Sequence, residues 1–278
     1  MLSMAKHSDS KLNRLQQLPE RLLVDAAWLE RHGYSSSLRS QYVSAGWLHH
    51  VAPRVYRRSN EPLQWQQVVT SLQAFLDCPL TVGGRTALQE QGYAHYLSAT
   101  TLEVHLYGPT RPPTWLDTLP LDVKFLWHNS LRLFPGDRSF EPTENEFPPV
   151  DDNPMIPGGF LLQAGGMSWP LRLSSPERAF LELLDELPDR ESFHQVDMLM
   201  GGLANLSPRR LQPLLEDCRS VKVKRLFFYF ADRHRHAWLA KLDKNAVDLG
   251  AGKRSLVPGG RLDPHYNITV PKDLDAVP

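Results

Sequence analysis

The sequence predicts a protein of the α+β or α/β class that is built from two parts. Near the amino end, a short helix, a tight turn, a second helix and a two-stranded ribbon follow one another over residues 25–58. After residue 60, strand-like and helix-like segments alternate, which is typical of a mixed α/β body. From residue 174 onwards helical periodicity predominates, so the body is expected to have a helical carboxyl-terminal part. We therefore predict a first domain over residues 1–60 and a second over residues 61–278.

The first helix of the amino-terminal part has recognisable signals at both ends. Asp25 is a residue type that caps helix amino termini, and Trp28 and Leu29 follow at inward-facing positions. Gly33 stands where a left-handed residue commonly ends a helix. The serines after Tyr34 can cap the helix that follows. These signals predict a helix, a tight turn and the start of a second helix.

The second helix is predicted to run roughly from Ser37 to Ala45. Leu38 and Tyr42 fall on its inner face, because they are four residues apart. The opposite face holds small or basic side chains. Counting from Gly33 places Arg39 where the phage repressors have an apolar residue. We expect the longer turn of winged variants to return it to the outer face.

A two-stranded ribbon is predicted to follow, over residues 47–51 and 54–58. Leu48, Val51 and Val55 alternate with basic residues, so one face of the ribbon is apolar and the other is cationic. The segment 21–24 is predicted to be a short strand that pairs with this ribbon. Together these elements form a winged helix-turn-helix.

A winged helix-turn-helix with this residue pattern is typical of DNA-binding proteins. Short side chains let the helix backbone approach base edges in the major groove, and amide or guanidinium groups can bond to those edges. Basic wing residues can contact phosphates. The predicted groove contacts are Ser36, Ser37, Arg39, Ser40 and Gln41. The predicted phosphate contacts are His49, His50, Arg54, Arg57 and Arg58.

The charge distribution agrees with this interpretation. The chain is 41% hydrophobic and 22% charged, which indicates a globular protein, and its net charge is zero. The first 60 residues, however, carry nine Lys and Arg against four Asp and Glu. A basic amino-terminal segment on an acidic body suits a DNA reader attached to a part that does not bind DNA.

Cysteines and apolar runs indicate the compartment. The two cysteines, Cys78 and Cys218, lie far apart and form no CxxC pattern, so they predict neither a zinc site nor a disulfide framework. The first residues contain no apolar leader, and no run approaches the roughly 18 apolar residues of a membrane span. We therefore expect a cytoplasmic protein with no membrane partner.

The second domain is predicted from alternating strand and helix signals. Strands are expected at residues 79–82, 101–107 and 123–128, with 132–134 in the same sheet, a hairpin of 160–162 with 171–173, and closing strands near 256 and at 266–270. Helices are expected at residues 62–77, 84–97, 176–187, 193–203, 208–218 and 221–233, with a helical turn at 113–119. The segment 140–159 is rich in Pro and acidic residues and is predicted to be a loop or linker.

The sequence contains no motif that requires an enzyme. The segment 248–254 lacks both the first Gly and the Ser or Thr of a phosphate-binding loop. His234 and His236 are two residues apart and would face apart on a helix. Lys222, Lys224 and Arg225 form a second basic cluster that is best explained as a solvated surface. We therefore predict a non-enzymatic protein with no catalytic residue, no metal ligand and no cofactor.

Two alternatives remain open at this point. In the first, the body is that of a nucleic-acid-processing enzyme of nuclease or nucleotidyltransferase type, which requires carboxylates that converge in space. In the second, the winged unit is a protein-interaction module, which a second helix without a positive strip would favour.

Several motifs, taken in order, resemble a known family. They are YVSAGWL (42–48) with RVY (54–56), GRTAL (84–88), GYAHYL (92–97), HLYG (105–108), SPERA (175–179), VKVKRLF (221–227), and GKR (252–254) with YNITVP (266–271). This order is similar to that of the AbiEi-type antitoxins of bacterial type IV, or AbiE, toxin–antitoxin systems. The likeness covers nearly the whole chain. One departure is the wing tip, where Ala52, Pro53 and Arg54 replace an expected Gly-rich turn.

The resemblance implies a function in phage defence. Such a protein would repress its own operon by binding inverted repeats in double-stranded operator DNA, with self-association on the DNA. It would also counteract a nucleotidyltransferase-like AbiEii-type toxin without needing a stable complex with it. The resemblance supplies no catalytic residues.

Overall fold

The computed structural model describes residues 11–93, 103–136, 155–156, 160–163 and 171–274. The amino-terminal unit begins with helix α1 over residues 11–16. The elements that follow it are β1 (Leu23–Asp25), α2 (Ala26–Arg31), α3 (Ser36–Ser44), β2 (His49–Ala52) and β3 (Val55–Arg57). The predicted helix, turn, helix and ribbon are all present, and the unit is a winged helix-turn-helix.

The predicted helix signals in this unit are confirmed. The Asp25 carboxylate accepts a hydrogen bond from the Trp28 amide at 2.7 Å and caps α2. Gly33 has a φ of +82°, so the chain leaves α2 in the left-handed region that favours glycine. The Ser35 hydroxyl caps α3. Local capping chemistry therefore sets both helix boundaries.

The three strands of the unit form an antiparallel sheet in the order β1-β3-β2. Val24 lies opposite Tyr56 in the register, so the segment before α2 pairs with the wing as predicted. The sheet is covered on both faces. Val24, Leu48 and Tyr56 belong to the core beneath the helices, whereas Leu23, Ala52 and Val55 belong to the core of the body. The winged unit is thus packed against the body through its own sheet.

Helix α4 (Trp65–Ala74) makes this contact from the body side. The Leu23 amide donates a hydrogen bond to the Ser71 hydroxyl at 2.7 Å, and Val68 packs in the same core as Leu23. The helix begins later than predicted. Pro62 lies outside it, because the turn at Gln64, whose amide is capped by the Gln67 side chain at 3.2 Å, starts the helix instead.

The body contains a mixed six-stranded sheet. Its strands are β4 (Thr81–Val82), β5 (Glu103–Gly108), β6 (Lys124–Asn129), β7 (Met155–Ile156), β8 (Phe160–Gln163) and β9 (Leu171–Ser174). They lie in the order β6-β5-β4-β9-β8-β7. The β5–β6 and β4–β9 pairs are parallel, and the other pairs are antiparallel. The predicted hairpin of 160–162 with 171–173 is confirmed by the β8–β9 pair.

Helices cover this sheet and form the carboxyl-terminal part. They are α5 (Gly84–Glu90), α6 (Ser130–Leu133), α7 (Pro176–Asp185), α8 (Phe193–Gly202), α9 (Pro208–Asp217) and α10 (Val221–His234). Strands β10 (Arg261–Asp263) and β11 (Ile268–Val270) form a separate antiparallel pair. Short 3₁₀ helices lie at Thr114–Thr118, Leu239–Lys241 and Lys244–Ala246.

Three predictions for the body need correction. Residues 132–134 do not join the sheet, because Asn129 caps a short helix there. Helix α5 ends at Glu90 instead of continuing towards Leu97. The strand near residue 256 is absent, and Arg261–Asp263 pairs with β11 in its place.

The predicted loop over 140–159 lies outside the described residues except for β7. No helix in the described part of the chain is long and apolar enough to cross a bilayer.

A buried carboxylate joins the sheet to α5 and α7. Glu182 is fully buried and accepts hydrogen bonds from Arg178 at 2.9 Å, from the Ser174 hydroxyl at 3.1 Å and from the Gly84 amide at 2.9 Å. A Cβ at Gly83 would collide with this carboxylate and with the Tyr107 ring. The glycine before α5 therefore allows the close approach that the buried ion pair requires.

We predict that Glu182→Ala lowers the free energy of unfolding by about 3–5 kcal/mol, because it leaves buried Arg178 without its carboxylate. The exposed Glu216→Ala should change it by no more than about 0.5 kcal/mol. Urea unfolding followed by circular dichroism measures both values. Equal losses in the two variants would contradict a structural role for the buried pair.

Candidate nucleic-acid interface

The turn between α2 and α3 is held in place by α1. Tyr34 is buried in the turn, and its hydroxyl donates a hydrogen bond to the Lys11 carbonyl at 3.0 Å. The Lys11 ammonium in turn donates to the Gly33 carbonyl at 2.6 Å. The Ser35 hydroxyl accepts from the Leu38 amide at 3.4 Å at the start of α3. These contacts hold the turn in one conformation and so fix the direction in which α3 starts.

Helix α3 has one exposed face of small polar side chains. The exposed residues of this face are Ser36, Ser37, Ser40, Gln41 and Ser44. The Ser40 hydroxyl donates to the Ser36 carbonyl at 3.1 Å, so that side chain lies close to the helix backbone. Because no long side chain projects from this face except that of Gln41, the backbone can come close to a flat or grooved partner.

Arg39 does not belong to that face, which corrects the prediction that it contacts base edges. It is only 7% exposed. Its Nη1 donates to the Tyr34 carbonyl at 2.9 Å, and its Nη2 lies 2.9 Å from the Glu30 carboxylate. Residue 39 keeps the inward position that counting from Gly33 gives it. A guanidinium is accommodated there because the turn supplies carbonyl acceptors.

The wing tip is a two-residue turn at Pro53 and Arg54. Arg54 has a φ of +65° and fills the left-handed position where the sequence comparison predicted glycine. Its carbonyl accepts from the Ala26 amide at 2.8 Å, so the tip is tied to the start of α2. The Arg54 side chain is exposed, as is that of His50, which contacts the Tyr56 ring, with centroids 4.6 Å apart.

The other two wing arginines do not lie on the free surface, which corrects their prediction as phosphate contacts. Arg57 is 7% exposed and faces the junction with the body. Burial lowers the pKa of its guanidinium. Arg58 Nη1 donates to the carbonyls of Gln16 and Leu18, at 2.6 Å each. His49, half-buried on β2, is opposite Arg57 in the register.

Two cations of α1 lie beside the turn and were not predicted as contacts. Lys11 binds the Gly33 carbonyl, and Arg14 is exposed. Burial and Tyr42 raise the pKa of Tyr34, and the charge of Arg14 opposes that rise. The spacing of Lys11 and Arg14 by three residues, which puts them on one face of a helix, was the available signal.

Several buried carboxylates of the body are each matched to a partner. The Glu191 carboxylate pairs with Arg85, and Glu177 accepts from the Ser207 amide at 2.8 Å. Glu182 is held by Arg178, as described above. These pairings leave the carboxylates little freedom to converge on a metal ion, which disfavours a nuclease-like centre built from them.

A chain of two imidazoles and a carboxylate was also missed from the sequence. His105 Nδ1 lies 3.0 Å from His128 Nε2, and His128 Nδ1 lies 3.2 Å from a Glu186 oxygen. Burial, with the neighbouring charges, lowers the pKa of His105 to about 3 and that of His128 to about 4, so both are neutral near pH 7. The ligand atoms of His105, His128 and Glu186 lie within 4.8 Å of one another, so in the part of the chain that the structure describes these three residues could hold a metal ion. Their separation in sequence gives no spacing motif.

Two family models match the chain over consecutive segments. The model described as "Transcriptional regulator, AbiEi antitoxin N-terminal domain" matches residues 8–99. The model described as "Transcriptional regulator, AbiEi antitoxin, Type IV TA system" matches residues 101–271. Together they span almost the whole chain. The proposed boundary at residue 60 lies within the first segment and stays a prediction.

A solved structure shows the same fold at low identity. The crystal structure of the Rv2827c protein from Mycobacterium tuberculosis is similar, with a TM-score of 0.51 and 14% sequence identity. The likeness covers 91% of this chain and 87% of that chain. No curated protein matches the sequence. At this identity the likeness concerns the fold alone.

We predict that acid destabilises the protein through the buried imidazoles. The unfolded chain binds protons near pH 6.5, whereas His105 and His128 stay neutral in the fold down to about pH 4. Unfolding therefore takes up as many as two protons below pH 6.5, and stability falls by up to about 2.7 kcal/mol per pH unit.

The test is urea unfolding at several pH values between 7 and 4. His128→Asn should reduce the slope by about one proton, or roughly 1.4 kcal/mol per pH unit. The exposed His265→Asn should keep the wild-type slope. A slope that His128→Asn leaves unchanged would show that these imidazoles do not govern acid stability.

Proposed function

The chain belongs to the AbiEi antitoxin family of transcriptional regulators of type IV toxin–antitoxin systems, and on this basis we propose that it represses its own operon by binding operator DNA. One observation carries the proposal: helix α3 has an exposed face of serines and one glutamine, and a wing stands beside it. In winged units of this kind the second helix enters the major groove, and the wing meets the backbone.

The groove contacts that we propose are those of the predicted set that are exposed, namely Ser36, Ser37, Ser40 and Gln41. Gln41 has the longest side chain among them, and its amide can bond to two atoms of adenine in the major groove. The serine hydroxyls can bond to base edges or phosphates. Arg39 supports this face from inside by holding the turn.

The phosphate contacts that we propose are Arg54 and His50 from the wing, with His49 at its margin. Arg54 is exposed at the tip, so its guanidinium can reach a phosphate without rearrangement of the fold. Arg14 of α1 is exposed and is a further candidate. Cations that contact phosphates set affinity and register without selecting a sequence.

We propose further that two copies bind an inverted repeat in the operator. A twofold repeat in DNA matches a twofold pair of proteins, with half-sites about 34–36 Å apart for each helical turn. In this proposal self-association takes place on the DNA. Family membership also suggests that the chain counteracts a nucleotidyltransferase-like AbiEii-type toxin, without a stable complex being required. That the chain is non-enzymatic remains a prediction.

Gln41→Ala should weaken binding to the operator by about 1–3 kcal/mol, because one bidentate base contact is lost. Gel-shift titration compares the duplex that carries the upstream repeat with a scrambled duplex, whose affinity should not change. The exposed Gln17→Ala, on the segment after α1, is the matched control. Equal affinity of wild type and Gln41→Ala for both duplexes would remove Gln41 from the reading face.

Arg54→Ala should weaken binding to every duplex alike. Loss of one phosphate contact reduces the slope of log K against log salt by about 0.9, since one counterion fewer is released. Alanine meets the same backbone requirement at φ +65° as arginine, so the turn is comparable in both proteins. Arg132→Ala, on the body, serves as the control. A wild-type salt slope in Arg54→Ala would argue against a phosphate contact at the wing tip.

A further inference from the structure

A cavity of about 420 Å³ lies between the wing and the body. One side is formed by the wing strands and the segment that leaves them, and the other side by residues 120–122 of the body. The polar residues that line it are His49, His50, Arg57, Asn60, Glu61 and Asp122. Its size is that of a site for a small molecule, and it lies where the DNA-reading unit meets the rest of the chain.

Arg57 is the unusual member of this lining. It is 7% exposed, and its Nη1 is buried with no hydrogen-bond partner among the described residues. Burial lowers the pKa of the guanidinium, which shows the cost of desolvating its charge. Glu61, the acidic residue whose charge acts on it, forms its own ion pair with Arg21 at 2.8 Å. A buried guanidinium nitrogen without a hydrogen-bond partner is costly, so its presence in the fold requires an explanation.

Two other buried arginines donate several hydrogen bonds to the fold. Arg225, which is 2% exposed, donates to the carbonyls of Leu249, Gly250 and Gly252 at 2.6–2.9 Å. Arg39 has a carbonyl and a carboxylate at 2.9 Å each, although its Nε is buried without a hydrogen-bond partner. The fold thus supplies acceptors to both of these guanidinium groups. The Nη1 of Arg57 has no acceptor among the described residues, and Arg57 lines the cavity.

We propose that this cavity binds a small molecule with one carboxylate or phosphate group, which pairs with Arg57. Guanidinium forms strong, bidentate hydrogen bonds with both kinds of oxyanion. His49 lies opposite Arg57 in the β2–β3 register and lines the same cavity, so it provides a second polar group on the same face of the sheet. The exposed Asp122 repels a polyanion and favours a ligand with a single anionic group.

A DNA phosphate has the same chemistry, but the placement of Arg57 favours a free molecule. A phosphate in a duplex carries its sugar backbone with it, and it cannot reach a guanidinium that is buried behind the wing. A free anion can enter the cavity. The free molecule is therefore the source proposed here, and contact with DNA phosphate is the outcome that the second experiment can detect.

Because the cavity lies between the wing and the body, a ligand bound there would affect how the protein binds DNA. A molecule that contacts Arg57 on the wing and residues 120–122 of the body stabilises one placement of the wing. Binding would then change the affinity for DNA by favouring or disfavouring that placement. This consequence rests on the proposed function, whereas binding of the anion does not.

The first experiment measures anion binding without DNA. Thermal unfolding of the wild-type protein is followed in inorganic phosphate and, separately, in acetate, against chloride at constant ionic strength. At ten times the dissociation constant, one site raises the unfolding midpoint by roughly 3–5 °C in a saturable way. Arg57→Met should lose this saturable rise and keep only the gradual salt effect. Arg31→Met, which removes an exposed cation of the same unit, should retain it.

A second variant guards against a folding defect in Arg57→Met. Leu121→Trp fills the cavity from the body side and leaves the guanidinium in place, so it should also abolish the saturable rise. An equal rise in wild type, Arg57→Met and Leu121→Trp would overturn the proposal, and so would the absence of a saturable rise in the wild type with both anions.

The second experiment separates the free anion from the DNA backbone. The salt dependence of binding to a scrambled duplex is compared for wild type and Arg57→Met in chloride. The proposal requires the same slope in both proteins. A slope lower by about 0.9 in Arg57→Met would assign the guanidinium to a DNA phosphate and overturn the proposal. Failure of DNA binding altogether would contradict the proposed function but leave the anion measurement intact.

Discussion

The three-stranded sheet of the winged unit is buried on both faces, and the placement of the reading helix depends on it. Tyr56 on β3 packs beneath the helices, while its neighbour Val55 packs on the body. The Leu23 amide is bonded to Ser71 of α4, so the backbone is fixed as well. A winged unit with one solvated sheet face could turn independently of its body. Here the body contributes to the position of the wing.

Burial and hydrogen bonds to the backbone also determine which cations remain available for DNA. Each of the arginines 39, 57 and 58 lies on an element that the sequence assigned to a free surface, yet each faces inward or is bound to backbone carbonyls. The exposed face of α3 is left nearly uncharged. The side chains that are proposed to contact bases and the exposed cations therefore lie on different elements. The base contacts are on α3, and the cations are at the wing tip and on α1.

Local signals predicted the elements well, whereas residue orientation depended on distant partners. Asp25, Gly33 and Ser35 act within four residues of their own position, so their roles can be read from sequence. Arg39 was misplaced because charge was taken to mean exposure, although the count from Gly33 had indicated an inward position. His105, His128 and Glu186 come from three elements, and only the sheet register and α7 bring them together.

The separation of the proposed base contacts on α3 from the cations on other elements limits how the proposed repressor can be regulated. A serine and glutamine face reads bases through short contacts, and those contacts need the backbone of α3 at the correct depth in the groove. That depth is set by phosphate contacts at the margins, chiefly at the wing. Because the wing is braced by the body, a change at their junction alters how firmly the complex forms and not which bases α3 recognises. We infer that the body can tune affinity while specificity stays with α3.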